Sequence, residues 1–294
     1  MKGHARHVVR WPHASRRGTQ ATARGVGQRV LLFTVALAAF PDPAAHLTTL
    51  EVPRPTRAVR IAIDAGHGAP GNTGNQGCFC QAEADETRVE AMELARRLRA
   101  RGFHVLETRT NADGARYQAR IAAIEAFAPH VVISLHTDAR ADAVPVWRGE
   151  GQVCWENRSD PGFAVLWSEE GSSAVVSRRA EWGRALSRRL RESGFTPYSG
   201  EDYGSLYRDD DEPACFIDAR PVKQRVYFLR ATSVAPVVIV ETHHALDPLE
   251  VARWHDADTH DAFAAAVARA ALDVVDAPRP APARKARSSG PPIP

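Results

Sequence analysis

Val131-Val132-Ile133-Ser134-Leu135 runs through aliphatic side chains at odd and even positions alike and then passes into His136-Thr137-Asp138. A strand with one wet face alternates apolar and polar residues, so this one is expected to be buried on both faces. Sheets covered on both sides are mostly parallel, with helices as the cover. Pro236-Val237-Val238-Ile239-Val240 repeats the pattern and leads straight into Glu241, while Val59-Arg60-Ile61-Ala62-Ile63 leads into Asp64-Ala65-Gly66-His67-Gly68.

Helical periodicity fills the intervals. Ala91, Leu94, Ala95 and Leu98 share one face of a helix predicted over Glu83–Arg101 and stopped by Gly102. Further helices are predicted over Ala115–Phe127, Ala174–Glu192 and Asp258–Val275, the last repeating Phe263, Val267, Ala270 or Ala271, and Val274. Short strands are predicted at Phe103–Leu106, Val153–Trp155, Phe163–Trp167 and Val226–Leu229. The expected fold is α/β, a single domain with a mostly parallel sheet flanked by helices on both faces.

The chain has 294 residues, 44% of them hydrophobic, and a net charge of +3. That charge is unevenly placed. Met1–Arg29 holds seven Lys/Arg and no acid, and Ala277–Pro294 holds four and no acid, which leaves residues 30–276 with 27 basic against 35 acidic side chains. An acidic core is the wrong sign for tracking phosphates, so no nucleic-acid partner is expected. The basic start runs into the apolar stretch Val30–Phe40, which stops at Pro41-Asp42-Pro43. It is shorter than the ~20 residues a membrane span takes, and small residues follow it, as in an export signal. Residues 1–45 are therefore expected to be a cleaved signal, 46–58 a linker, 59–276 the folded domain with an insertion around 139–225, and 277–294 a disordered basic tail rich in Pro and Ala. The mature protein is expected to be periplasmic or extracellular, with no stable membrane span after cleavage.

Cys78, Cys80, Cys154 and Cys215 are even in number, as an oxidising compartment allows. A bridge between Cys78 and Cys80 would be strained, so a disulfide would run from either of them to Cys154 or Cys215. Trp147, Trp155 and Trp167 either pack in the core or line a wall suited to sugar rings. Asp209-Asp210-Asp211-Glu212 reads as a solvated acidic turn.

In open α/β sheets ligands gather at the carboxyl ends of the strands. His67, His136 and Glu241 stand at three such ends. Two imidazoles and a carboxylate make a three-ligand zinc site with a fourth position left for water. A second carboxylate is needed for proton transfer, and Glu83, at the start of the first helix, and Glu86, one turn further, both lie within reach of the glycine-rich loop 68–77.

Asp64-Ala-Gly-His-Gly68, Glu83 before Gly102, Thr108-Arg109, Ser134-Leu-His-Thr-Asp138 and Val238-Ile-Val-Glu241, in this order and spacing, resemble the zinc-dependent N-acetylmuramoyl-L-alanine amidases of the type-3 amidase family from about Val59 to Val275. The resemblance implies that His67, Glu83 and His136 bind Zn2+, that Glu241 is the catalytic carboxylate, that Asp138 contacts substrate, and that Arg230 either orients substrate or pairs with a carboxylate. It favours Glu83 over Glu86. It implies cleavage of the amide between N-acetylmuramic acid and the L-alanine of the stem peptide, with peptidoglycan or a muropeptide as substrate, and it allows for a protein activator. Two features depart from the family: Asp138 where Asn is frequent, and Thr242-His243-His244 after Glu241, either His being a candidate proton donor or secondary ligand. The rival readings are a zinc carboxypeptidase-like peptidase, with Arg109 or Arg230 holding a terminal carboxylate, and a catalytically silent cell-wall-binding protein of the same fold.

Overall fold

A computed structural model describes residues 46–111, 116–233 and 235–277, all within one compact unit. In chain order its elements are β1 (Arg60–Ala65), α1 (Glu83–Ala100), β2 (His104–Glu107), α2 (Tyr117–Phe127), β3 (Val131–Asp138), β4 (Val144–Arg148), β5 (Gln152–Glu156), β6 (Ala164–Trp167), α3 (Ser173–Glu192), β7 (Tyr207–Asp209), β8 (Cys215–Asp218), α4 (Tyr227–Ala231), β9 (Val237–His244), α5 (Pro248–Arg253) and α6 (Ala257–Asp276). The apolar run 30–40 and the tail from 278 lie outside the described residues. Among the described residues no helix is long and apolar enough to cross a membrane.

The main sheet has the order β2-β1-β3-β9-β6-β8-β7. Four of its six pairings are parallel, β6 reverses against β9, and β7 reverses against β8. The continuous aliphatic strands sit in the middle, as two-sided burial requires: Val131 to Ile133 and Val237, Val238 and Val240 are fully buried. One face packs on α1, α3 and α6, where Leu94, Leu98, Trp182, Leu186 and Phe263 meet Ile63, Ile133, Leu135 and Val240. The alanines of α6 let it lie close against α3. The other face is smaller, with Ile121 and Ile124 of α2 and Phe228 and Leu229 of α4 over Ala62, Val132 and Ile239. Helix α1 ends as expected, since Gly102 takes a positive φ of 92° and donates back to the Arg99 carbonyl.

Several local expectations need correction. Val226–Leu229 is not a strand. Its β-prone side chains lie on the short helix α4, which packs Phe228 and Leu229 into the second core cluster, so tertiary burial overrides local preference. The segment 139–225, expected as an insertion, supplies α3, β6, β8 and β7 to the main body, and only the β4–β5 ribbon forms a separate sheet. Residues 46–58 contain no helix or strand, yet Leu47, Leu50 and Val52 pack on the larger core cluster and Thr48 N–H donates to the Ser193 carbonyl at 2.8 Å. The acidic turn after β7 is paired with α3 rather than simply solvated: Arg184 meets Asp210 at 2.6 Å, while Arg188 and Arg191 hold Glu212 at 3.2 and 3.1 Å. Trp167 is buried and donates to Asp210 at 2.9 Å, so it is not part of any exposed wall.

Candidate active site

The site is built where β1, β3 and β9 end. After β1 the chain turns through Gly66-His67-Gly68, and His67 takes a left-handed φ of 57°. A Cβ on Gly66 would lie 2.5 Å from the Leu135 carbonyl oxygen and 2.7 Å from the His136 ring, so the turn passes beside His136 only because no side chain intervenes. Arg109 closes the turn from behind. Its guanidinium donates to the Gly66 and Ala84 carbonyls at 2.9 and 2.7 Å, which joins the end of β1 to the first turn of α1. Being 3% exposed and committed to backbone carbonyls, Arg109 is not available to bind a substrate carboxylate. Asp64 knits the strands together by accepting from Thr108, from Arg120 at 3.3 Å and from Ser134 at 2.9 Å.

Glu83 opens α1. The first free N–H groups of the helix are taken by the loop laid across it, Glu83 N–H donating to the Asn75 carbonyl and Ala84 N–H to the Thr73 carbonyl, both at 3.0 Å. Its carboxylate accepts from the backbone N–H groups of Asn75 at 3.0 Å and Thr137 at 3.2 Å. So held, Glu83 lies 3.0 Å from His67 Nε2 and 2.9 Å from His136 Nδ1. One ligand atom from each of the three residues falls within 4.8 Å of the others. The other nitrogen of His67, Nδ1, lies 2.8 Å from Asn72 Oδ1, and Asn72 is itself oriented by a bond to Tyr117 OH at 3.0 Å. Because Asn72 Oδ1 can only accept, His67 Nδ1 donates to it, and Nε2 is the nitrogen turned to Glu83. Burial works to raise the Glu83 pKa, but hydrogen bonds from His136 and His67 hold it well below the usual carboxylate range. Two imidazole nitrogens and an ionised carboxylate, with outer groups fixing their orientation, form a donor set suited to zinc.

Glu86 faces elsewhere. It accepts from Gln81 at 2.7 Å, and burial pushes its carboxyl up to about 7. Of the two carboxylates open to choice in the sequence, the fold brings Glu83 to the imidazoles.

Glu241 stands on β9 opposite His136 of β3 and, on its other side, opposite Ala164 of β6. It is half-buried and has no ion-pair partner among the described residues. Burial first, then the neighbouring charges of Asp138 and Glu83, raise its carboxyl well above the ordinary value against the opposing pull of Arg140. A carboxyl so poised can both take up and release a proton. Asp138 is fastened through Oδ2, which accepts from Arg140 Nε at 3.1 Å and Tyr203 OH at 3.0 Å. Arg140 is almost fully buried, lies 3.7 Å over the Tyr198 ring and donates to the Asp160 and Gly162 carbonyls. The Asp138–Arg140 spacing could have revealed that pair in the sequence, but nothing local pointed to Tyr203.

Arg230 sits on α4 with its guanidinium 5.4 Å from the Tyr227 ring centre and without a carboxylate partner among the described residues. His243 is buried, stacks on Trp254 at 5.5 Å and is pushed down by burial to about 3. His244 is equally buried, with Nδ1 3.1 Å from the Asp138 carbonyl. Neither imidazole belongs to the His67–Glu83–His136 cluster. One disulfide links Cys80 to Cys154, and Cys78 and Cys215 are buried thiols.

The sequence profile described as N-acetylmuramoyl-L-alanine amidase matches residues 61–273. No curated protein sequence matches significantly. Among solved structures, the apo N-acetylmuramyl-L-alanine amidase of Mycobacterium abscessus superposes with a TM-score of 0.55 at 17% identity, over 74% of this chain and 100% of that one. The Mycobacterium smegmatis amidase gives 0.54 at 19% identity, over 74% and 97%. A Clostridium difficile amidase gives 0.54 at 15% identity, over 75% and 98%. At these identities the likeness speaks for the fold, while the profile spans most of the chain. The chain belongs to the N-acetylmuramoyl-L-alanine amidase family of type 3.

Proposed function

We propose that the protein is a zinc-dependent peptidoglycan hydrolase that cleaves the amide between N-acetylmuramic acid and the L-alanine of the stem peptide. The observation that carries this reading is the Glu83 carboxylate held between His67 Nε2 and His136 Nδ1, with Glu241 in register beside His136. His67, Glu83 and His136 hold the zinc. When bound, zinc supplies a Lewis acid that polarises the scissile carbonyl and acidifies water.

Glu241 takes the proton from the attacking water and returns it to the leaving nitrogen, since an unprotonated amine leaves poorly. The Asp138 charge nearby helps to keep that proton on Glu241 until the C–N bond breaks. Asp138 Oδ1 makes no bond among the described residues and accepts a substrate N–H, while Arg230 orients substrate from the α4 side. Export through residues 1–45 fits a substrate outside the membrane, in the periplasm or beyond it. A carboxypeptidase-like reading loses one of its two candidates for a terminal carboxylate, because Arg109 is buried against backbone carbonyls, and keeps Arg230.

The test is to incubate the full chain with zinc and defined muropeptides and to identify the new ends. Release of the intact stem peptide with a free L-alanine amine is expected. Cleavage within the peptide would refute the amidase reading, and no cleavage at all would favour a silent wall-binding protein.

A further inference from the structure

The β4–β5 ribbon stands apart from the main sheet, and its register sorts its side chains onto two faces. Directly opposed residues share a face. Val146 with the fully buried Cys154 turns inward, whereas Pro145 with Trp155 and Trp147 with Val153 turn outward. On that outer face Trp147 is 74% and Trp155 46% exposed. Two open indoles on one face of a short ribbon mark a contact surface rather than a core.

The ribbon is firmly mounted. Cys154 is bonded to Cys80, Arg148 donates to the Cys78 carbonyl at 3.3 Å and lies 4.7 Å over the Phe79 ring, and Asn157 N–H donates to the Leu246 carbonyl at 3.0 Å. Each tether runs to a segment that carries a site residue, because Cys80 leads into Glu83 and Leu246 follows Glu241. The bridged Cα atoms are 5.2 Å apart and three residues span at most ~11 Å, which places Cys154 within roughly 16 Å of Glu83. The ribbon is therefore anchored within that distance of the site by its inward face, with the indoles on the face turned outward.

We propose that Trp147 and Trp155 form a carbohydrate platform that seats the glycan strand leading away from the scissile amide. The proposal rests on the amidase reading, since that reaction leaves a muramoyl sugar on the acyl side of the bond and hence a polymer of pyranose rings beside the site. The apolar C–H face of a pyranose packs on an indole while its hydroxyls stay in water. Positions 145, 147, 153 and 155 carry no charge, which suits a neutral ring and not a phosphate or a charged peptide.

The test uses the full chain and its Trp147→Ala, Trp155→Ala and doubly substituted variants, with binding to peptide-free glycan strands measured by co-sedimentation. The native chain is expected to bind the strands and the double variant to bind at least ten-fold more weakly, with Trp147→Phe restoring most of the Trp147→Ala loss. Activity on glycan-linked peptide should fall at least ten-fold further than activity on a monomeric muramoyl-peptide. Unchanged strand binding in the double variant, or equal loss on polymer and monomer, overturns the platform. So does an outer face that instead mediates self-association or vesicle binding, seen as either property lost in the double variant while strand binding stays. Because strand binding is read without cleavage, a native chain that cleaves neither substrate refutes the amidase reading alone, and tryptophan-dependent strand binding in it would still support the platform. A chain that cleaves the monomer but binds no strands refutes the platform alone.

Discussion

Glu241 and His136 occupy directly opposed positions on the adjacent parallel strands β9 and β3, immediately before the register shifts between His136 and Asp138. Neighbouring strands lie about 4.8 Å apart, so the proposed proton carrier and a proposed ligand are fixed by backbone hydrogen bonds and not by a flexible loop. Substituting one should therefore leave the other in place. Glu241→Gln is expected to retain zinc, measured by metal analysis, while losing roughly 10²–10⁴-fold in turnover. Full activity in this variant would remove Glu241 from the mechanism.

Gly71 and Gly74 offer an internal comparison. Both have positive φ, 79° and 76°, so alanine strains the backbone at either. Only at Gly74 would the added Cβ crowd the site, lying 2.5 Å from Glu83 Oε2 and 2.8 Å from His67 Cδ2, whereas at Gly71 it meets open space. Gly74→Ala should lower zinc affinity by about ten-fold or more in a chelator competition. Gly71→Ala should lower only the melting temperature, and equal zinc loss in both would contradict the crowding argument.

Asn72 sets the tautomer of His67 and is itself steadied by Tyr117. Removing such an outer partner typically costs roughly ten- to a hundred-fold in metal affinity. Asn72→Ala is expected within that range and Tyr117→Phe well below it, by zinc titration with a competing dye. Native affinity in Asn72→Ala would show that the turn alone orients the ring.

Glu86 supplies a pH prediction. Its carboxyl titrates at about 7 in the folded chain because burial disfavours the charge, against an ordinary value of 4.5. The folded state thus binds more protons than the unfolded one between those values, and stability falls as pH rises through this window. In metal-free protein, Glu86→Gln should be more stable than the native chain above pH 7, by up to about 3 kcal/mol, with the difference vanishing below pH 4.5. Urea unfolding at pH 4 and pH 8 measures this, and a constant difference would contradict it.

The thiols can be counted. Burial pushes Cys78 up to about 12 and Cys215 higher still, so neither should react with a thiol reagent in the native protein at neutral pH. Two thiols should appear on denaturation without reductant and four with it. The Cys80–Cys154 bridge closes a long loop, and Cys154→Ser should cost about 2–4 kcal/mol of stability.

The parts of the fold that the sequence made legible are those whose burial is two-sided. The aliphatic runs of β3 and β9 have no alternative to a covered central position, and the polar residues at their ends then mark the crevice. The helices α1, α3 and α6 were equally plain, because a charged outer face leaves a clear 3.6-residue stripe. Elements whose identity depends on distant neighbours were not. Cys215–Asp218 is only four residues long and sits beside an acidic turn, yet is fully buried because β6 and β7 flank it. Tyr227–Ala231 has strand-like side chains but packs as one helical turn. At the site, strand ends marked His67, His136 and Glu241, whereas Glu83 at a helix start was favoured over Glu86 only through the family resemblance, and Tyr203 and Arg140 reach Asp138 only through the folding of the intervening chain.

The reversal of β6 against β9 gives the site a modular plan. With Ala164 and His136 on either side of Glu241, the chain leaves the rim just after His136 and returns to it at Ala164, and the ribbon lies on that single excursion. Within it the ribbon can be varied around Arg140 and the Cys80–Cys154 bridge without altering the register of the strands that hold Glu241 and His136. Under the proposed roles, exchanging the outward-facing residues of the ribbon is thus a route to changing substrate choice while sparing Glu241 and His136.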